Sequence, residues 1–277
     1  MTLRLDGPLL LAGAGNMGFA LLAGWLERGL DPARVIIQDP APSPHLQELF
    51  GKLGKLGTQV RPDVGSLPQA PAVIVVAVKP QVMDEVFPPL ARLAGKDTVV
   101  LSVAAGRPIA GFEAHAPSGT AVVRAMPNTP ASIGRGITVA VGNRHVTPAQ
   151  RSTCDELLRA VGEVAWVDDE GLMDAVTAVS GSGPAYVFYL AECLAEAGVK
   201  AGLQPDLAQR LARWTVAGAG ELLHASDLGA DQLRKNVTSP NGTTFAALQV
   251  LMAENGLAKL MQEAVAAAAQ RSRELAK

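Results

Sequence analysis

Leu9-Leu10-Leu11-Ala12-Gly13-Ala14-Gly15-Asn16-Met17-Gly18 is the stretch whose reading sets the fold. Four apolar residues suit a buried strand, and helical spacing follows the last glycine to about Arg28. The glycines have the spacing Gly-x-Gly-x-x-Gly, and each has a separate physical task in a dinucleotide turn. Gly13 permits the tight bend, Gly15 lets a pyrophosphate approach the backbone, and Gly18 lets the helix pack on the strand. Ala14, Asn16 and Met17 complete this candidate cofactor loop. A second strand, Val35 to Gln38, ends at Asp39, about twenty residues on, where a ribose-binding acid belongs. Gly7 to Leu26 carries no charge and superficially looks like a signal peptide or a membrane span. Its five glycines at 7, 13, 15, 18 and 24 suit a bilayer helix poorly, so no targeting segment is expected.

Outward from this turn, Ala72 to Val78 and Val99 to Val103 are apolar on both faces. Thr120–Met126, Ile137–Val141 and Glu163–Val167 read as further strands, and Pro148–Val161 as a helix. Wholly apolar strands alternating with helices imply a parallel sheet covered on both sides. The helix near Gln81–Leu93 contains Pro88 and Pro89 and is expected to break there. Beyond Asp168 nearly everything has helical periodicity, with breaks at Ser180–Pro184, Gly202–Pro205, Asp227–Gly229, Ser239–Gly242 and Asn255–Gly256. The organisation expected is an α/β domain over 1–167 and an all-α domain over 168–277.

The 277 residues suffice for two domains, and 48% are hydrophobic while only 4% are aromatic, which suits close packing of small side chains. A net charge of −2 with no basic cluster argues against nucleic acid as a partner. Cys154 and Cys193 lack any CxxC spacing and read as small hydrophobes of a reducing, cytoplasmic setting. The four histidines are scattered singly, and no cluster suggests a metal. The helix from Pro184 has Tyr186, Val187, Phe188, Tyr189, Leu190, Cys193, Leu194 and Ala197, which leave little polar face. Such a helix must be surrounded by protein, so a homodimer or larger assembly built on this domain is expected, the alternative being a central helix within a monomer.

Several strand ends carry candidate cofactor groups, because ligands of open α/β sheets bind beyond the strands' carboxyl ends. Ala77, Val78, Lys79 and Pro80 form one such end, with Lys79 placed to meet a ribose or pyrophosphate; otherwise it is a solvated lysine. Ser102-Val103-Ala104-Ala105-Gly106 leaves room for a nicotinamide, with Ala105 facing it. Arg124-Ala125-Met126-Pro127-Asn128-Thr129-Pro130 is stiffened by two prolines. Asp39 suits NADH; it could instead simply cap its turn. The closest basic residues along the chain are Arg34 and Lys52, but Ser43 in the turn Pro40–Pro44 could donate to a phosphate. NADH and NADPH therefore both stay open.

Asn236-Val237-Thr238-Ser239-Pro240-Asn241-Gly242-Thr243-Thr244 precedes the apolar helical run Phe245–Met252. Helix-start N–H groups lack internal partners and lie at the positive end of the dipole, so they suit an anion. Ser239, Thr243 and Thr244 add hydroxyls, and Gly242 permits close approach. An ordinary capped turn has a similar composition.

Together these motifs, with Gly181-Ser182-Gly183-Pro184-Ala185-Tyr186, resemble the pyrroline-5-carboxylate reductase family over residues 8 to 275. The departures are Asn241, where glycine is commoner, and Asp39. Asn tolerates a left-handed backbone better than most residues, so the loop keeps its shape. The resemblance implies a Rossmann-like first domain with a mostly parallel sheet and an all-α C-terminal dimerisation domain. It also implies dimers that assemble into rings, and reduction of 1-pyrroline-5-carboxylate to L-proline by NADPH or NADH. No histidine falls in a motif, which fits: a cyclic imine can bind already protonated, so orientation matters more than a strong acid. The implied carboxylate cradle is Ser239 with the N–H groups of Gly242, Thr243 and Thr244. By family position the Thr244 hydroxyl faces the ring nitrogen, and Asp227 matches an acid near the substrate. Met126, Val103 and the Gly181–Pro184 turn are expected to wall the site, and Asn128 to shape its loop. The rival readings are a beta-hydroxyacid dehydrogenase or imine reductase, with Lys200 or Lys235 as the catalytic lysine, and a nucleotide-sensing module without turnover.

Overall fold

The computed structural model describes residues 3–42, 44–55 and 57–275. They fall into two compact units, residues 1–181 with 269–277, and residues 182–268.

The first unit is built on a sheet of order β3-β2-β1-β4-β5-β6-β7-β8. Its strands are β1 (Leu9–Ala12), β2 (Val35–Gln38), β3 (Gln59–Arg61), β4 (Val73–Val76), β5 (Val99–Ser102), β6 (Ala121–Met126), β7 (Gly136–Gly142) and β8 (Gly162–Trp166). All pairings are parallel except β6 with β7. Every residue of β1, β4 and β5 is buried, as a sheet covered on both faces requires. The strand period of two divides them between two cores. Leu9, Leu11, Val73, Val75 and Leu101 join the helices α1 (Asn16–Glu27), α2 (Pro44–Gly54) and α5 (Pro148–Leu158) on one face. Leu10, Ala12, Ile74, Val76 and Val100 join α3 (Met83–Ala91) and α4 (Ile109–Glu113) on the other.

Trp25 of α1 is fully buried and donates its indole N–H to the Leu157 carbonyl of α5 at 2.9 Å. Across the sheet, Phe87 and Phe112 meet edge to face with ring centres 4.9 Å apart. Burying each ring contributes about 1.5–3 kcal/mol. The chain order reverses between β1 and β4, so a crevice opens at the carboxyl ends of these strands, beside the glycine turn. At the opposite ends, a cavity of about 690 Å³ is lined by Asp6, Gln69, Lys96, Asp97 and His145 among others.

Two local expectations are corrected. Helix α3 runs unbroken through Pro88 and Pro89. The carbonyls these prolines leave unbonded, four residues earlier, belong to the exposed Asp84 and Glu85 and can turn to water, while Phe87, Leu90 and Ala91 anchor the helix. The break at Ser180–Pro184 is also smaller than expected. α6 (Met173–Val176) passes into a π-helical turn over Thr177–Gly181, and only Ser182 stands between it and the next helix. Residues 168–181 group with the sheet unit, Met173 lying in its second core.

The second unit contains α7 (Gly183–Lys200), α8 (Pro205–Ala225), α9 (Ala230–Asn236), α10 (Thr243–Leu251) and most of α11 (Leu257–Leu275). Gly198 of α7 lets Ala208 of α8 approach, since a Cβ there would lie 3.3 Å from the Ala208 methyl. Little else is covered. α7 has no buried residue, and Phe188, Tyr189 and Trp214 are 62%, 66% and 74% exposed. No helix among the described residues is long and apolar enough to cross a membrane.

Candidate functional site

The glycine turn has the geometry its sequence requires. Gly13 has φ +85°, a left-handed backbone, and a Cβ on it would come within 2.8 Å of the Ala77 carbonyl oxygen. A Cβ on Gly18 would collide with the Gly13 carbonyl. A Cβ on Gly15 would meet nothing within 4 Å. The open side of the turn is therefore at Gly15, where a pyrophosphate needs room, and the first N–H groups of α1 have no side-chain cap. Gly13 N–H donates to the Gln38 carbonyl and Ala77 N–H to the Ala12 carbonyl, each at 2.8 Å, which ties three strand ends together.

Asp39 takes part in the turn itself. Its Oδ2 accepts the Ala14 N–H and its Oδ1 the Ala41 N–H, both at 2.9 Å. A basic residue is close after all: Asp39 N–H donates to the Arg61 carbonyl at 3.0 Å. Arg61 closes β3, a strand of three residues with little apolar signal, so distance along the chain concealed it. The proposed phosphate donor Ser43 lies outside the described residues. Beside this turn the buried Gln38 Oε1 has no donor among the described residues, an acceptor left for a ligand. Asn16 and Met17 begin α1, and these features together fit a dinucleotide.

Ala77, Val78, Lys79 and Pro80 follow β4, with Lys79 exposed at the start of a 3-10 turn over Pro80–Val82. Arg107, which the sequence reading passed over, holds this loop. Its Nη2 donates to the Pro80 carbonyl at 2.9 Å, and the guanidinium forms a two-pronged pair with Asp84 at 2.9 and 2.8 Å. Hydrogen bonding from Arg107 holds the Asp84 carboxyl below the usual value. Ala105 is exposed after β5, and Gly106 has φ +73°. Val103 and Met126 line the same strand ends, and Met126 Cε lies so close to Gly181 that a Cβ there would collide with it.

Another missed group is Glu170. Its Oε1 accepts from Arg124 Nη1 at 2.9 Å and from the Ile109 N–H at 2.8 Å. A mostly buried guanidinium on β6 needs such a partner, and the same carboxylate satisfies the start of α4. Only a fold could bring residues 109, 124 and 170 together. Asn128 shapes its loop, since its Oδ1 accepts the Ile137 N–H at 3.0 Å. Ser180 Oγ, in the π turn, is buried with no partner among the described residues.

In the helical unit, Ser239–Gly242 forms a turn directly before α10. Asn241 has φ +57°, the left-handed value that the loop demands in place of glycine. A Cβ on Gly242 would strike Ser239 Oγ, so a larger residue there would turn that hydroxyl away. Gly242 N–H already donates to the Ser239 carbonyl at 3.1 Å. This amends the expected cradle: its free donors are the N–H groups of Thr243 and Thr244, the first two of α10, which no side chain caps. Ser239 and Thr243 are exposed and Thr244 is half-buried. Thr238 turns its hydroxyl to the Arg234 carbonyl at 2.6 Å. Asp227 is exposed in the bend between α8 and α9. Lys235, in the rival reading a catalytic base, pairs with Asp231 at 2.9 Å.

Known proteins are similar to this chain in sequence and in fold. Residues 170–275 match the model of the pyrroline-5-carboxylate reductase dimerisation region, and residues 9–106 match that of coenzyme F420-dependent NADP oxidoreductases. Pyrroline-5-carboxylate reductase of Pseudomonas aeruginosa is 41% identical over 95% of both chains. That of Synechocystis is 41% identical over 96% of this chain and 97% of the other. Among solved structures, the Coxiella burnetii pyrroline-5-carboxylate reductase superposes with a TM-score of 0.89 at 34% identity, covering 99% of this chain and 100% of that one. The NADP-bound Plasmodium falciparum pyrroline carboxylate reductase gives 0.80 at 27% identity, covering 98% and 99%. With its glycine turn, its hydroxylated start of α10 and relatives matched over nearly their whole length, the chain belongs to the pyrroline-5-carboxylate reductase family.

Proposed function

We propose that the chain reduces 1-pyrroline-5-carboxylate to L-proline with NADPH or NADH. The observation that carries this reading within the molecule is the start of α10, where uncapped N–H groups and three hydroxyls surround a turn in which Gly242 leaves the Ser239 hydroxyl its place. Such a site holds a small carboxylate. The relatives' shared activity supports it across the whole chain.

Reduced nicotinamide, when bound, supplies the hydride. The chain's own residues bind and orient. Gly13, Ala14, Gly15, Asn16, Met17 and Gly18 hold the pyrophosphate, while Asp39, Ala77, Val78, Lys79, Pro80 and Ala105 line the rest of the cofactor's course. Ser239 and the N–H groups of Thr243 and Thr244 grip the carboxylate, with Gly242 giving it room. Thr244 places its hydroxyl at the ring nitrogen. Asp227 adds negative charge that favours the protonated imine. Orientation of this kind lowers a barrier without a strong acid, and no histidine falls in either sequence motif. Residues 168–277 serve as the substrate and dimerisation domain. Two copies associate through it, and the dimers join into rings. The enzyme acts in the cytoplasm; both cysteines are free, which supports a reducing compartment.

Oxidation of NADH and NADPH followed at steady state with 1-pyrroline-5-carboxylate tests the reaction. Thr244→Ala is expected to lower turnover by about a hundredfold, the scale of a lost transition-state hydrogen bond. Cofactor affinity should stay as in the parent. Unchanged turnover would remove Thr244 from the mechanism.

A further inference from the structure

We propose that Asp39 makes this chain select NADH over NADPH, and that Arg61 beside it is a latent phosphate-binding group that the carboxylate overrides. The inference rests on the reading of the glycine turn as a dinucleotide site. The sequence left both cofactors open because Asp39 could either face a ligand or merely cap its turn. The structure joins these roles. Oδ2 is tied to the Ala14 N–H inside the glycine turn, and Oδ1 to the Ala41 N–H after it. The backbone of the same residue is fastened to β3 through the Arg61 carbonyl.

This clamp has two consequences. The carboxylate cannot swing aside for a bulky anion without stripping the buried Ala14 N–H of its partner. Each carboxylate oxygen has also spent one lone pair and keeps another, so the pair can still accept two hydroxyl protons. An adenosine ribose with free 2′- and 3′-hydroxyls supplies two such donors. A 2′-phosphate supplies none and adds charge of the same sign at contact distance.

Arg61 is the group that could offset this. It follows the register partner arrangement Gln38↔Arg61 at the end of β3, so its guanidinium originates on the strand next to Asp39. Its Nη2 donates to Gln59 Oε1 at 2.5 Å, and it forms no ion pair with Asp39 among the described residues. A guanidinium so placed can meet a 2′-phosphate, but only once the carboxylate's charge is gone.

Binding to the full-length protein, without substrate, tests this by calorimetric titration of NADH and NADPH. The wild type should bind NADH at least about tenfold more tightly, a gap of ~1.4 kcal/mol. Asp39→Asn keeps an oxygen for the Ala14 N–H and loses the charge, and should bring the two affinities within about threefold. Adding Arg61→Ala to Asp39→Asn should weaken NADPH alone. Equal affinities in the wild type, or an unchanged ratio in Asp39→Asn, would overturn the proposal. If the folded wild type bound neither cofactor, the reading of the glycine turn would fall, and this inference with it.

Discussion

The sheet unit and the helical unit treat their apolar residues in opposite ways. In the first, β1, β4 and β5 are buried end to end, and helices on both faces close two continuous cores. In the second, α7 and α10 have no buried residue, and on α8 only Ala208 and Ala212 are covered. Both regions are rich in hydrophobic side chains, so composition does not separate them. What separates them is whether one chain can supply both sides of a layer. A sheet between helices can. A set of helices apolar around most of their circumference cannot, and needs a second copy to finish its core. The match of residues 170–275 to a dimerisation region has this physical basis.

The contrast can be broken first at its strongest point. Phe188→Asp with Trp214→Glu puts charge on two of the most exposed aromatic groups of the helical unit. If a partner covers them, each change costs about 2 kcal/mol or more in association, on the scale of interface anchors. The variant should run as a monomer in light scattering and lose nearly all turnover, while its sheet unit still binds cofactor. A dimer of normal activity would mean that the helical unit buries these residues in no interface. Thiol labelling follows the same event. Burial pushes the Cys154 thiol up to about 12, so it stays protonated and unreactive near neutral pH until the sheet unit unfolds. Cys193 on α7 is exposed in the single chain and should react faster in the monomeric variant than in the parent.

The complementary change acts within the sheet unit. Trp25→Ala empties a fully buried site between α1 and α5 and leaves the Leu157 carbonyl without its donor. A loss of about 3–5 kcal/mol is expected, seen as a lower midpoint in urea. Oligomeric state at low denaturant should not change. A variant that dissociates while its sheet stays stable would show that the two regions are not independent.

Legibility differed between the regions for related reasons. Strands buried on both faces announce themselves as apolar runs, so β1, β4 and β5 could be placed from sequence within a residue or two. β3 could not, because its three residues at the sheet edge are polar or half-buried. The same blindness hid Arg61, whose nearness to Asp39 depends on that strand. Glu170 and Arg107 were missed because their partners lie far away along the chain, and no local pattern marks a long-range ion pair. Pro88 and Pro89 misled in the other direction. A local rule called for a break, yet packing of Phe87 and Leu90 holds the helix while water can take the freed carbonyls. The start of α10 was readable because glycine, hydroxyl groups and a helical run all fall within nine residues. Its donor set still needed structure, since only the turn geometry shows that the Gly242 N–H is already engaged.

The smallest effect expected lies at the loop after β4, where Arg107 holds Asp84 and the Pro80 carbonyl. Asp84 is solvent-exposed and its carboxyl is held below the ordinary value, chiefly by hydrogen bonding from Arg107. A depressed folded-state pKa means the unfolded chain takes up the proton first. The stabilisation is therefore complete above the unfolded value, near 3.8, and is lost as pH falls through the lower folded value. Asp84→Asn should flatten the acid limb of a melting-temperature profile below about pH 4, with only a slight change at pH 7 because exposed pairs are weak. If the pair instead fixes the Val78–Pro80 loop for the cofactor, the same variant should weaken NADH binding more than it lowers melting temperature. That ratio separates a role in holding the loop's shape from simple surface electrostatics.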